Sequence, residues 1–335
     1  MYDNYVFDLY GTLVDIHTEE NDAKVWEKLS LFYGFYGALY DPQELQESYL
    51  ALIQSKETDL KGELEKEPHY AHEAFPEIRI EEVFKELYAK KGIKADDALA
   101  VHTGQFFRVL TMEYVRIYDG VRELLKALKK CGKKVYLLSN AQRIFTEYEM
   151  NYLDITKYFD DILISSDYGT KKPDIRFFEQ LIEKYHLDVK KTLMIGNDVR
   201  CDINGAKEAG LDTFYIHSNI SPKDDKKPDS TYYLPAMDMK KVKELGRIAP
   251  AHCFQCLKHC NPGTTPYCIT QALINAAKGK MALLNNNPAG YFMSAMVAGA
   301  FITLGGFVTF TLGSILTAAG CTITKVIMAF SFASA

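Results

Sequence analysis

Beyond Arg247 this 335-residue chain has no Asp, Glu or Arg, and its only charged side chains there are Lys258, Lys278, Lys280 and Lys325. Residues 281–324 contain no Asp, Glu, Lys, Arg or His at all. An uncharged run of that length is longer than a buried helix of a globular domain needs. One bilayer crossing takes roughly 20 apolar residues, which Tyr291 to about Leu312 supplies, so a C-terminal transmembrane helical segment is expected. Positive charge is short as well. With 39 Lys and Arg against 44 Asp and Glu the net charge is -5, and no basic stripe interleaved with aromatics is present, which excludes nucleic acid as a partner. The opening MYDNYVFDLYG carries acids where a secretion signal carries positive charge. Cysteine is sparse in the charged part, with only Cys131 and Cys201 before Arg247, a usage that fits a reducing cytoplasm rather than a disulfide framework. The eight histidines show no metal-ligand spacing.

What is present before Arg247 reads as an α/β protein. Tyr5-Val6-Phe7 forms a short apolar strand running into Asp8, and Gly11-Thr12 turns the chain. Residues 16–115 lack strand alternation and carry helical spacing, as in 44–53 and 80–89, which predicts an all-helical insertion. From Tyr118 onward the pattern predicts helices over 120–130, 174–186, 203–209 and 239–246, and strands over 134–138, 162–165, 192–195 and 213–217. Such alternation implies a parallel sheet with right-handed crossovers. Ligands of such sheets bind beyond the carboxyl ends of the strands. The polar residues following the strands are therefore the candidates: Asp8, Ser139-Asn140, Lys171-Lys172 and Asn197-Asp198. The expected organisation is a core of 1–15 and 116–247, a helical cap of 16–115, a Cys-containing linker of 248–281 and a membrane segment of 282–335, with the catalytic part on the cytoplasmic side.

Four elements in order carry a family resemblance. Asp8-Leu9-Tyr10-Gly11-Thr12, Ser139 after the strand VYLL, Lys172 in GTKKPD, and Gly196-Asn197-Asp198 with Asp202 in MIGNDVRCDINGAKEAGL resemble the four motifs of the haloacid dehalogenase superfamily over about 240 residues. The resemblance implies a Rossmann-like parallel sheet with an inserted helical cap, and a hydrolase acting through a covalent aspartyl intermediate on Asp8. A carboxylate nucleophile splits one hard displacement into two easier ones, and a transferred phosphoryl group needs cations and donors around its equatorial oxygens. On this reading Asp8, Tyr10, Ser139 and Lys172 are catalytic, while Thr12, Ser139, Asn140 and Lys172 hold the substrate, a small-molecule phosphate ester. The family further implies Mg2+ on Asp8, the Tyr10 carbonyl, Asp198 and Asp202, since magnesium takes hard oxygen ligands. Taken by themselves, Lys171 reads as a solvated neighbour of Lys172, Asp202 as a helix cap, and Asp15, His17, Asp174 and Asp212 as turn or cap residues.

Two departures matter. Phosphatases of the superfamily carry a second Asp two residues after the nucleophile as general acid, where this chain has Tyr10. The DxYGT form and Ser139-Asn140 resemble instead the 2-haloacid dehalogenases, whose leaving halide needs no proton. Those enzymes bind the substrate carboxylate through an Arg early in the cap and lack the acidic fourth motif. Here the first Arg is Arg79, and Asp198 and Asp202 are present, although the usual first acid aligns with Asn197. A magnesium-dependent phosphatase is the leading expectation. A dehalogenase, or a membrane-tethered scaffold of weak activity, is the alternative.

The tail from about Ala282 resembles the start of a formate/nitrite transporter, with too few membrane helices for transport to be expected. The linker holds Cys253, Cys256, Cys260 and Cys268, a spacing able to bind zinc or an iron–sulfur cluster, and faintly resembles a terminal segment of nitronate monooxygenase-like flavoproteins.

Overall fold

The computed structural model of the chain describes residues 2–246 except 68, 71 and 224–227. The transporter-like span and the four-cysteine linker lie outside the described residues; among the described ones no helix is long and apolar enough to cross a membrane. In chain order, β1 (Asn4–Phe7) and β2 (Val14–Thr18) lead into four helices, α1 (Ala23–Phe35), α2 (Pro42–Leu64), α3 (Ile80–Lys90) and α4 (Asp97–Thr111). The strand β3 (Met112–Ile117) returns the chain to α5 (Val121–Lys130), β4 (Lys134–Ser139), α6 (Arg143–Tyr152), β5 (Asp161–Ile164) and α7 (Ile175–Tyr185). Then come β6 (Thr192–Gly196), the short α8 (Gly205–Glu208), β7 (Asp212–Ile216), β8 (Tyr232–Leu234) and α9 (Met239–Leu245).

The larger sheet is parallel throughout, in the order β5-β4-β1-β6-β7-β8. Its central strands β1, β4, β6 and β7 are buried on both faces, as the apolar runs require. Tyr5 and Phe7 enter one layer with Leu124 and Leu128 of α5, while Val6 enters the opposite layer with Phe177 and Phe178 of α7. After β1 the chain proceeds to the β4 side, and after β6 to the β7 side, so the loops following these two neighbours diverge. That switch point opens a crevice at their carboxyl ends, and Asp8 and Asn197 stand there, one residue beyond β1 and β6.

The cap helices enclose an aromatic core of their own, with Trp26, Tyr33, Tyr49, Phe84, Tyr88 and Phe107 all buried. The reading of 16–115 as helical throughout is corrected at its ends. Val14–Thr18 and Met112–Ile117 pair antiparallel as a two-stranded ribbon leading into and out of the cap, with Val14 opposite Ile117. Partners that far apart in sequence, on strands this short, leave little alternation to read. Asp15 is buried in this ribbon, where it accepts from Arg116 Nε at 2.9 Å and Asn219 Nδ2 at 2.8 Å. The helix expected over 203–209 also differs, because Val199–Asn204 winds as a π-helical turn ahead of α8. Such turns re-aim side chains at functional sites, and this one carries Asp202.

Candidate active site

Asp8 is 8% exposed, with its backbone N–H donating to Ile195 O at 3.0 Å. Its Oδ1 accepts from Lys172 Nζ at 2.8 Å, and the same ammonium donates to Asp202 Oδ1 at 2.8 Å and Leu138 O at 2.7 Å. The three charged groups form a buried cluster with an excess of one negative charge when all are ionised. Burial pushes the Asp8 carboxyl up to about 6, with Lys172 pulling against it. Burial raises the Asp202 carboxyl as well. For Lys172 burial works downward, but the carboxylates of Asp202 and Asp8 outweigh it and hold the ammonium above the usual lysine range. Lys172 is thus a fixed cation beside the Asp8 carboxylate.

The loop carrying Lys172 is held from both sides. On the core side both ends of the Asn140 amide bond the Lys172 backbone: Oδ1 accepts from Lys172 N and Nδ2 donates to Lys172 O, each at 2.8 Å. On the cap side Lys171 N donates to Phe75 O at 2.9 Å, and Phe75 N donates to Asp174 Oδ2 at 3.0 Å. Asp174 also caps α7, as its sequence context suggested. Asn140 thereby positions the lysine backbone. Ser139, at the end of β4, is fully buried and its hydroxyl has no hydrogen-bond partner among the described residues. An orphaned buried hydroxyl is costly unless a ligand completes it.

The residues read as a metal set come together only in part. Asp202 accepts from the backbone N–H groups of Asn197 and Asp198, at 3.0 Å each, besides Lys172, so it organises the turn rather than capping a helix. Asp198 caps the π-helical turn through Cys201 N at 2.7 Å. Asn197 is the residue that faces Asp8. Thr12 Oγ1 lies 3.2 Å from both Asp8 Oδ2 and Asn197 Oδ1. One hydroxyl has one hydrogen, so an acceptor oxygen is left over at this point. Approach is tight: a Cβ at Gly11 (φ +87°) would stand 2.3 Å from Asn197 Nδ2, and one at Gly196 2.3 Å from Asp202. Among the described residues no three His, Cys, Asp or Glu side chains converge as a metal site.

Tyr10 points elsewhere. Its hydroxyl donates to Glu149 Oε2 at 2.5 Å and lies 3.2 Å from Thr146 Oγ1, both on α6. Glu149 Oε1 accepts from Arg108 Nε of α4 at 2.7 Å, and the guanidinium sits 5.8 Å from the Tyr10 ring centroid. Burial, then Glu149, hold the phenol above its usual range. Arg108, Glu149 and Thr146 were not legible in the sequence, because they meet only when cap packs on core. Arg108→Ala should lower stability by about 3–5 kcal/mol, since Glu149 is left charged and buried without its cation. An R108M/E149M double replacement should recover most of that loss, as read from urea midpoints.

A buried carboxylate paired with a buried ammonium, and a buried hydroxyl at the end of the neighbouring strand, thus lie at the carboxyl ends of the sheet. Residues 2–210 match the family of haloacid dehalogenase-like hydrolases, and the chain belongs to it. Among curated relatives, a glyceraldehyde 3-phosphate phosphatase of Pyrococcus abyssi is 27% identical over 38% of this chain and 51% of its own length. The putative HAD-hydrolase YfnB of Bacillus subtilis is 29% identical over 49% of this chain and 66% of its own. The pyrimidine 5'-nucleotidase PynA of Streptococcus pneumoniae is 26% identical over 40% and 56%. The chain thus spans about half to two-thirds of the length of these relatives. The crystal structure of a 2-haloacid dehalogenase from Pseudomonas syringae pv. tomato superposes with a TM-score of 0.49 at 18% identity, covering 74% of this chain and 100% of that one.

Proposed function

We propose that the domain is a magnesium-dependent phosphatase acting on a small phosphorylated metabolite through a phospho-Asp8 intermediate. The observation that carries the reading is the buried Ser139 hydroxyl without a partner, close in the sheet to a nucleophile already paired with a buried ammonium. Asp8 attacks phosphorus; Lys172 neutralises charge at the reacting group, and Ser139 donates to a phosphoryl oxygen. Asp202 and Asn140 keep Lys172 in place. Relatives named as phosphatases and a nucleotidase support the same class. The oxygens present fit a hard cation with few charges: the Asp8 carboxylate, the Asn197 amide oxygen and the Tyr10 carbonyl would hold Mg2+, with waters completing its shell. When bound, the ion neutralises charge on the phosphoryl oxygens.

A second reading has its own observation. With Tyr10 bound to Glu149 and an amide where an acid is usual, the site is also compatible with expelling halide from a 2-haloacid. The two readings separate on one assay pair. Phosphate release from 4-nitrophenyl phosphate should fall at least about 100-fold on chelation, and 2-chloropropionate should yield no chloride. Chloride release that survives EDTA would replace the phosphatase by the dehalogenase.

A further inference from the structure

Phosphoryl transfer to Asp8 leaves one requirement unmet, the proton that an alkoxide leaving group takes. Among the described residues, the carboxylates near the site have other partners: Asp8 is the proposed nucleophile, Asp202 holds Lys172 and two backbone amides, and one Asp198 oxygen accepts from Cys201 N. Glu149 is closed off by Arg108 and Tyr10, at 3% side-chain exposure. The Tyr10 hydroxyl has a single hydrogen, which goes to Glu149 at 2.5 Å, leaving Thr146 to donate to the phenol oxygen at 3.2 Å. Both ends of that hydroxyl are thereby engaged on α6. The Arg108 guanidinium, anchored on the cap, fixes Glu149 in the orientation that keeps it so.

We infer that the preferred substrate is an acyl phosphate, a mixed anhydride whose leaving group is a carboxylate, and that the Tyr10–Glu149–Arg108 chain sets this preference by withholding a proton from the leaving group. The inference rests on the phosphatase reading. Its chemistry closes without any acid. An Asp8 oxygen bonds to phosphorus as the P–O bond to the acyl group breaks, and the carboxylate leaves with the electron pair and needs no proton. Water then attacks phosphorus, the bond to Asp8 breaks, both hydrogens of the water remain on the dihydrogen phosphate released, and Asp8 returns as carboxylate. A carboxylic acid, with a pKa of about 4, is a far stronger acid than an alcohol, so its anion is by far the better leaving group. The same site without a donor therefore discriminates strongly between the two leaving groups. Glu20 is the rival donor: it lies at the cap entrance, its carboxyl raised by burial and drawn down by Arg108.

The test is a leaving-group series on the full chain, with spontaneous hydrolysis subtracted: acetyl phosphate, 4-nitrophenyl phosphate, phenyl phosphate and glycerol phosphate. Acetyl phosphate should exceed glycerol phosphate in kcat/KM by at least about 10,000-fold, and 4-nitrophenyl should exceed phenyl phosphate by about 100-fold, the range a proton donor otherwise closes. Tyr10→Asp should narrow the acetyl-to-glycerol ratio at least about 100-fold. Tyr10→Phe, whatever it does to the absolute rate, should leave that ratio within about threefold, because the missing hydroxyl gave the leaving group nothing. A wild-type ratio below about tenfold would overturn the inference and leave the phosphatase standing. So would a ratio that widens in Tyr10→Phe, or one that widens in Glu20→Gln, which would name Glu20 as the acid. Phosphate release from none of the four would overturn the phosphatase reading together with this one.

Discussion

Asp8→Asn is expected to remove turnover of 4-nitrophenyl phosphate by at least about 10,000-fold while leaving the protein folded and more stable. The activity loss follows from chemistry, since an amide lacks the anionic oxygen that bonds to phosphorus, and losses of a covalent nucleophile are of this size or larger. The gain in stability follows from the electrostatics of the buried cluster. Burial lifts the Asp8 carboxyl from 3.8 to about 6, so the folded state prefers it protonated. Between those values the folded state holds more protons than the unfolded one, and stability falls as pH rises through the window. At neutral pH the ionised carboxyl is a net cost of roughly 1–3 kcal/mol, which neutral Asn relieves. Urea unfolding from pH 4 to 8 in EDTA should show a steeper decline in the wild type than in Asp8→Asn, where the raised Asp202 carboxyl still contributes. Residual turnover above about one part in a hundred, or a destabilised variant, would remove Asp8 from the role of buried nucleophile.

Lys172→Met should be the other large effect, visible in both rate and stability. Methionine fills the space of the lysine stem but leaves Asp8 and Asp202 without the cation between them. Removing one partner from a buried charged group costs about 3–5 kcal/mol. Loss of the cation beside the transferred group should reduce kcat about 1,000-fold. The pH profile distinguishes this from general damage. Lys172 holds the Asp8 carboxyl down against burial, so without it that carboxyl rises above about 6 and the acid limb of kcat/KM, which requires the carboxylate, moves to higher pH. A limb that stays in place in Lys172→Met, or moves lower, would contradict the electrostatic role. Lys171→Met is the control, because Lys171 pairs with Glu57 and Glu77 outside the cluster.

Most strands and helices of the core could be read from residue pattern, α6 (Arg143–Tyr152) and β8 (Tyr232–Leu234) excepted, and so could the four positions that follow the strands, because each rests on local physics. Apolar runs such as Tyr5–Phe7 and Leu193–Ile195 are buried on both faces of a parallel sheet and announce themselves within a few residues. A strand-end carboxylate, a strand-end serine and a lysine before a proline are likewise visible in place. What each side chain faces was decided only in three dimensions. Asn197 and Asp198 are adjacent in sequence, yet the first turns toward Asp8 and Thr12 and the second onto the Cys201 N–H, a choice made by the π-helical turn that brings Asp202 beneath both amides. The ribbon of Val14–Thr18 with Met112–Ile117 joins strands separated by the whole cap, so no window of neighbouring residues encodes it. The fate of the Tyr10 proton was decided the same way. Sequence places a phenol two residues after the nucleophile; only the packing of α4 on α6 sets Arg108 and Glu149 against it, because a buried carboxylate requires a cation and a donor from whichever elements the fold brings within reach.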